Sequence, residues 1–285
     1  LSAGGTLFLR VDGVDADPDG ACLVAADRGL NYGDGVFRTV RLACGRVPAW
    51  ARHARKLASD LARLGLGTPD LAGIESDLAC LGALHPECVA RITVTAGASA
   101  RGYQRSSQSP LTTLVRATAL PAWPAERAGT GIALHLCELR LADQPALAGV
   151  KHLNRLEQVL ARAEWDGRGP SDGDAAEGLT LDGSGHAICG TMSNLFIVEG
   201  GRMSTPDLSR CGVDGVQRGR IIDWAQACGI PVAVDRLPLA RVQAADSLVL
   251  CNSVIGAWWA GRFCGRQYAR PAWYDDLVAM LDSDA

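Results

Sequence analysis

Residues 121–131, PAWPAERAGTG, break the chain between two segments that read as β-strands, LTTLVRATAL (111–120) and IALHLCELRL (132–141). Two prolines and two glycines among eleven residues suit neither a helix interior nor a sheet ladder, so this stretch reads as a linker. A chain of 285 residues also exceeds what one hydrophobic core usually holds. The expectation is a small N-terminal domain over 1–120, a linker over 121–131, and a larger domain over 132–285.

Both halves mix strands with helices, which makes the class α+β. In the first half LFLRV (7–11) and ARITVTAG (90–97) have strand character, the second by alternation of β-branched residues. ARHARKLASDLARLGL (51–66) places Leu57, Leu61 and Leu64 at helical spacing. In the second half a helix is expected just beyond residue 151, with Leu153, Leu156, Leu160 and Ala163 on a buried face. Hairpins are expected around Asp182-Gly183 and Gly200-Gly201. A helix over about 215–228 follows, stopped by Gly229 and Pro231. Then come a buried strand, SLVLCNSV (247–254), and a short acidic helix after Trp273.

Charge narrows the partners. Lys and Arg number 28 against 31 Asp and Glu, for a net charge of -3, with no block of like charges. Nucleic acid and membrane surfaces, which select basic stretches, are therefore not expected partners, while a local pocket for a small anion remains open. No run approaches the roughly 18 apolar residues of a membrane span, and LSAGGTLFLRVDG lacks a signal-peptide pattern, so a cytoplasmic location is expected. The ten cysteines are scattered singly with no CxxC pair, which reads as reduced thiols. The five histidines show no ligand spacing with them, and no metal site is expected.

Within this arginine-rich composition only two lysines occur, Lys56 and Lys151. Guanidinium and ammonium are not equivalent when the amine itself reacts. An ε-amine can lose its proton and attack a carbonyl, and a guanidinium cannot. Lys151, just ahead of an apolar helix pattern, reads either as a surface cation or as an imine-forming amine. The segment CGVDGVQRGRIIDWAQ adds a helix start, at which Gly215, Val216 and Gln217 would present N–H groups to an anion. By itself this also reads as an ordinary loop that uses glycine for its turn.

Five stretches taken in order sharpen the choice: DRGLNYGDGVF (27–37), KHLNRLEQVLARAE (151–164), GTMSNLFIV (190–198), TPDLSRCGVDGVQR (205–218) and VLCNSV (249–254). Together they resemble the fold-type IV pyridoxal phosphate enzymes, the group of branched-chain and D-amino acid aminotransferases and the aminodeoxychorismate lyases. KHLNRLEQVLAR and ARGY (100–103) are more similar to the lyases. The resemblance implies a small N-terminal α/β domain, a larger C-terminal β-rich domain with flanking helices, a pyridoxal 5'-phosphate cofactor and a homodimer. It implies that Lys151 forms the imine with the cofactor. Gly215, Val216 and Gln217 would hold the phosphate, with Asn252 and Ser253 beside it, and Ser193 and Asn194 would line the cofactor. Arg101 and Tyr103 would border the pocket of a small anionic substrate, with Phe37, Arg38 and Thr39 facing the same pocket. Phe37 reads equally as core, and Ser193 equally as a tight-turn residue.

Four positions depart from the group's pattern. Cys189 stands where a Glu usually meets the pyridine nitrogen, and Lys56 where a phosphate-binding Arg is usual. Ala96 replaces an Arg of many lyases, and Arg38 follows Phe37 where Glu or Thr is common. Three functional readings follow. The chain is a lyase releasing pyruvate and 4-aminobenzoate from 4-amino-4-deoxychorismate, or an aminotransferase for D- or branched-chain amino acids, or a non-catalytic relative that binds an anion.

Overall fold

The computed structural model describes residues 5–18, 20–106, 110–123, 129–165 and 175–283. Residues 124–128, within the expected linker, lie outside them. The chain divides into two compact units, one comprising Leu1–Ala122 with Val150–Asn154 and the other Trp123–Gly149 with Arg155–Ser283. The first unit thus takes in five residues from the middle of the sequence, which a contiguous division does not provide for.

The first unit contains β1 (Thr6–Val11), β2 (Val14–Asp15), α1 (Arg28–Tyr32), β3 (Gly35–Leu42), α2 (Trp50–Arg63), α3 (Leu71–Leu84), β4 (Cys88–Thr95) and β5 (Thr112–Thr118). Its strands form one antiparallel sheet in the order β2-β1-β5-β4-β3. Strand alternation sorts the side chains. Val36, Val40 and Leu42 of β3 and Cys88, Ala90, Ile92 and Val94 of β4 enter a core with Leu57 and Leu61 of α2 and Ile74, Leu78 and Leu81 of α3. The intervening positions, Phe37 and Thr39 of β3 with Arg91 and Thr93 of β4, lie on the other face, where Phe37 pairs with Thr93 and Thr39 with Arg91. α3, which the apolar spacing did not reveal, begins at Asp70, whose side chain accepts the Gly73 N–H.

The second unit contains β6 (Ile132–Leu141), α4 (Leu156–Ala163), β7 (Ala175–Asp182), β8 (His186–Gly190), β9 (Asn194–Glu199) and β10 (Arg202–Pro206). It continues with α5 (Val216–Ala227), β11 (Val232–Asp235), β12 (Leu237–Pro238), α6 (Leu239–Ala244), β13 (Ser247–Asn252), β14 (Gly256–Phe263), β15 (Arg266–Gln267) and α7 (Tyr274–Asp282). The sheet runs β11-β10-β9-β13-β14-β6-β7-β8-β12, and a further β8–β9 pairing closes the strands between them into a ring. Leu195, Ile197, Leu248, Leu250 and Trp258 fill one core. Phe196, Val198, Val249 and Trp259 pack on the other face against Ile221 of α5 and Leu277 of α7. This is the mixed α+β architecture expected.

The helix after Lys151 is a correction. It begins at Leu156, not directly after the lysine. Residues 150–154 are extended instead, because their main chain is spent on β3: Phe37 N–H donates to Lys151 O and Leu153 N–H to Gly35 O. Nor does the expected Leu face form a core. Leu156, Val159 and Leu160 are exposed at 68%, 60% and 53%, and α4 packs through Ala161 beside Trp165 and Cys137. No helix among the described residues is long and apolar enough to cross a membrane.

Candidate active site

Lys151 belongs to the first unit, and its main chain is gripped on both sides. Its carbonyl accepts the Phe37 N–H at 2.9 Å, and its own N–H donates to Asp60 Oδ2 at 3.2 Å. Its ammonium lies 4.5 Å from the centroid of the Phe37 ring. That ring gives the amine an apolar floor and a favourable quadrupole. The guanidinium of Arg91 lies over the same ring at 3.8 Å. Thr39, half-buried, shares this sheet face.

Asp60 is fully buried on α2. Its Oδ1 accepts from Lys56 Nζ at 2.7 Å, one helical turn earlier, and its Oδ2 pairs with the buried guanidinium of Arg38. Arg38 therefore lies on the helix-facing side of β3 with Val36 and Val40, the opposite face from Phe37 and Thr39. Breaking such a buried pair by removing one partner costs about 3–5 kcal/mol. Arg55 is exposed, and Ala96 is buried with its N–H donated to Asp34 O.

Arg101 and Tyr103 sit on a loop fastened by the DRGLNYGDG segment. Asp27 caps α1 by accepting the Gly29 and Leu30 N–H groups, and Gly33 closes the helix at φ 64°, a backbone state that favours glycine. This turn buries Arg28. Its guanidinium donates to the carbonyls of Gly102, Tyr103 and Gln104 and to Ser99 Oγ. Asp34 accepts from Arg28 at 2.8 Å and from Arg105 through both carboxylate oxygens, at 2.9 and 2.5 Å. Burial alone would push the Asp34 carboxyl up, yet the hydrogen bonds and charges of Arg105 and Arg28 hold it below the usual carboxylate range. The loop presents Arg101 exposed and Tyr103 at 88% exposure, with the Tyr103 ring 5.6 Å from that of Tyr32.

The second unit carries the other predicted residues. Gly149 N–H donates to Gly212 O, and Asp214 N–H donates back to Gly149 O, so the loop before α5 is tied to the chain two residues upstream of Lys151. Asn194 donates to Val213 O at 2.7 Å and accepts the Gly215 N–H at 3.2 Å. A Cβ at Gly215 would stand 2.3 Å from Asn194 Oδ1, so only glycine allows this approach. Gly215 starts α5 without any side-chain cap. Val216 and Gln217, both buried, follow it as the first helical residues. Arg218 donates to Thr205 Oγ1, Asp214 and Pro206 O and adds a cation beneath the helix start. An anion at such a terminus gains about 0.3–1 kcal/mol, up to about 2 when partly buried.

Ser193 is buried, and its hydroxyl donates to Glu177 Oε2 at 2.7 Å. Glu177, itself buried, also accepts from the Gly178, Thr191 and Met192 N–H groups and from Thr191 Oγ1. Asn252 donates to Met192 O and accepts the Val254 and Ile255 N–H groups, which fixes the half-buried Ser253 in the turn. Cys189 is buried with Leu141, Ile188, Leu208 and Cys211, and its carbonyl accepts from Thr180 Oγ1. Burial pushes the neighbouring Cys211 thiol up to about 12.

Taken unit by unit, the residues present fit parts of an aldehyde cofactor that carries a phosphate. An amine on a braced main chain suits the imine, and an uncapped helix start suits the phosphate. Cys189, expected at the ring nitrogen, is a buried thiol beside Thr180 Oγ1 at 3.6 Å, and the buried carboxylate of Glu177 accepts from the residues of the neighbouring turn. Reading the sequence missed Asp60, Arg91, Arg28, Asp34, Glu177 and Arg218. Arg28, Asp34 and Arg218 lie inside quoted motifs, and Asp60 stands four residues after Lys56, a spacing that signals a helical ion pair.

Comparison with known proteins agrees with this geometry. The family model described as "Amino-transferase class IV" matches residues 35–260. An aminodeoxychorismate lyase of Vibrio harveyi is 36% identical over 232 residues, covering 81% of this chain and 83% of that protein. A putative branched-chain-amino-acid aminotransferase of Methanocaldococcus jannaschii is 27% identical over 250 residues, covering 86% of this chain and 84% of its own. The crystal structure of the 4-amino-4-deoxychorismate lyase of Pseudomonas aeruginosa superposes with a TM-score of 0.88 at 37% identity, covering 97% of this chain and 100% of that one.

Asp34 titration tests the loop clamp. A depressed native pKa means the clamp contributes fully above the ordinary carboxyl pKa of about 4 and is lost as pH falls through the lower native value. Amide exchange over 99–105 is expected to speed up in that acid window, and Asp34→Asn is expected to produce the same speeding at pH 7. Unchanged protection at neutral pH in the variant contradicts the clamp.

Proposed function

The chain belongs to the amino-transferase class IV family, and from that premise we propose that it is a pyridoxal phosphate-dependent 4-amino-4-deoxychorismate lyase. The single observation that carries this reading is the bracing of Lys151, whose main chain is fixed at N–H and C=O while its amine lies over Phe37. An amine that must alternate between a covalent link and proton transfer needs a fixed pivot. Likeness over most of the chain to lyases from Vibrio harveyi and Pseudomonas aeruginosa supports the substrate.

Lys151 would hold the cofactor through its amine. Val216 and Gln217 would hold its phosphate through main-chain N–H groups, with Gly215, whose own N–H goes to Asn194, as the small residue at the helix start and Lys56 as the accompanying cation, and Ser193, Asn194, Asn252 and Ser253 would shape the turns around it. Bound there, pyridoxal phosphate supplies an electron sink for the charge left when a C–H bond of the substrate breaks. Lys151, when its amine is not joined to the cofactor, would take the proton from the amine-bearing ring carbon. The C–O bond to the enolpyruvyl group would then break, and the departing enolpyruvate would take up that proton to become pyruvate, leaving 4-aminobenzoate, with aromatisation driving the elimination. Arg101 pairs with a substrate carboxylate, for which a guanidinium fork is the suited donor, and Tyr103 borders the same loop. Phe37 and Thr39 form the floor below the reacting amine. The protein acts as a homodimer in which a second copy covers the exposed Leu156, Val159 and Leu160 of α4.

Cys189 separates this reading from an aminotransferase. A thiol is a weak partner for a protonated ring nitrogen, and aromatisation lets the lyase tolerate what transamination does not.

Three outcomes follow. With added pyridoxal phosphate, borohydride reduction and peptide mapping are expected to place the pyridoxyl group on Lys151, and Lys151→Ala to abolish pyruvate release; a label confined to Lys56 contradicts the assignment. Cys189→Glu is expected to raise half-transamination with amino acids about tenfold or more while pyruvate release changes little, and an unchanged half-reaction counts against the account of Cys189. Sedimentation of Leu156→Asp/Leu160→Asp is expected to show a monomer where the unaltered chain is a dimer, and equal masses for both would remove α4 from the interface.

A further inference from the structure

Two charged side chains, Lys56 and Arg38, and the Lys151 main chain converge on Asp60. The carboxylate is fully buried. Oδ1 accepts from Lys56 Nζ at 2.7 Å, and Oδ2 accepts both from Arg38 and from the Lys151 N–H at 3.2 Å. The only two lysines of the sequence are therefore keyed to one residue, one through its side chain and the other through its main chain. Arg38 and Lys56 are also two of the four positions at which the chain departs from the pattern it resembles. They meet on a carboxylate that no quoted motif contains.

We infer that Asp60 is a positioning residue that sets Lys151 and Lys56 in register, so that the imine-forming amine and the phosphate-side cation meet the two ends of one cofactor. The inference rests on the reading of Lys151 and Lys56 under the proposed function and deepens it. Its logic is geometric and electrostatic. A rigid ligand that is bound covalently at one end and ionically at the other requires a fixed separation between the two amines. Lys56 reaches Asp60 from one turn away on α2, and Lys151 reaches it from the strand-like segment laid along β3. Arg38 locks the carboxylate from the sheet side, and its positive charge also balances the buried acid. An arginine at 56 would bring a wider, planar head to the same carboxylate.

Two variants separate positioning from mere support of the fold. Asp60→Asn removes the charge and keeps the shape. Arg38→Leu/Asp60→Leu removes the buried pair together, an exchange that commonly preserves stability. Melting temperature, pyridoxal phosphate titration and the position of the borohydride-reduced label are read on each full-length protein. Asp60→Asn is expected to weaken pyridoxal phosphate binding about tenfold or more and to spread the label from Lys151 to Lys56. The double variant is expected to regain melting temperature without regaining affinity or the single label. A double variant that binds with unaltered affinity and labels Lys151 alone overturns the inference. Amide exchange on the unaltered chain needs no variant: the Lys151 N–H is expected to be as protected as the β3–β4 ladder, and exchange as fast as loop 99–105 also overturns it. If the unaltered protein never labels Lys151, the proposed function fails, and a protected Lys151 N–H would still leave Asp60 as the anchor of this segment.

Discussion

A reactive amine is useful only when the chain that carries it cannot drift, and the excursion of residues 150–154 supplies that constraint. The segment lies along β3, bonded through Phe37 N–H to Lys151 O and Leu153 N–H to Gly35 O. An edge strand offers a row of unspent main-chain groups, and here part of that row is used to hold the lysine. The strand is in turn held by the core of Val36, Val40 and Leu42 against α2 and α3. Within the second unit, Gly149 is bonded to Gly212 and Asp214, which fixes the loop that begins α5.

The rest of each unit follows from what must be presented. In the first unit, strand parity divides the work: Val36, Arg38 and Val40 face the helices, while Phe37, Thr39 and Arg91 face away from them. Arg28 spends its guanidinium on three carbonyls of the Gly102–Gln104 turn, which turns an irregular loop into a fixed platform. In the second unit, Glu177 performs the matching task for the turn at residues 191–193. Asn194 then holds Gly215 at the start of α5 by accepting its N–H at a distance that leaves no room for a Cβ. In both units a buried polar hub, fully satisfied, specifies a loop that apolar packing alone would leave loose.

Much of this was legible in the sequence. The strands β4, β5 and β6, the two hairpins and α5 follow from alternation and turn chemistry that the tertiary structure keeps. The helix after Lys151 was misread because Leu153 and Leu156 satisfy a helical spacing while the main chain between them is committed to β3. Apolar periodicity carries no information about where a carbonyl bonds. The same limit hid Asp60 and Glu177. A lone acid reads as solvated surface until the fold brings its donors together, and those donors stand 22 and 91 residues away for Asp60 and up to 16 away for Glu177. The start of α5 was legible because its signal is local, a glycine directly ahead of the helix, whereas the contact that requires Gly215 to be small, with Asn194, spans 21 residues.

The central claim is that the braced amine of Lys151 serves an elimination and not an exchange of amino groups. The direct measurement is product analysis with 4-amino-4-deoxychorismate as sole substrate, in the presence of pyridoxal phosphate and without any added amino acid or 2-oxo acid. The account predicts that pyruvate and 4-aminobenzoate accumulate in equal amounts over many turnovers. Absence of both products, or turnover that begins only when an amino acid and a 2-oxo acid are supplied together, would contradict it.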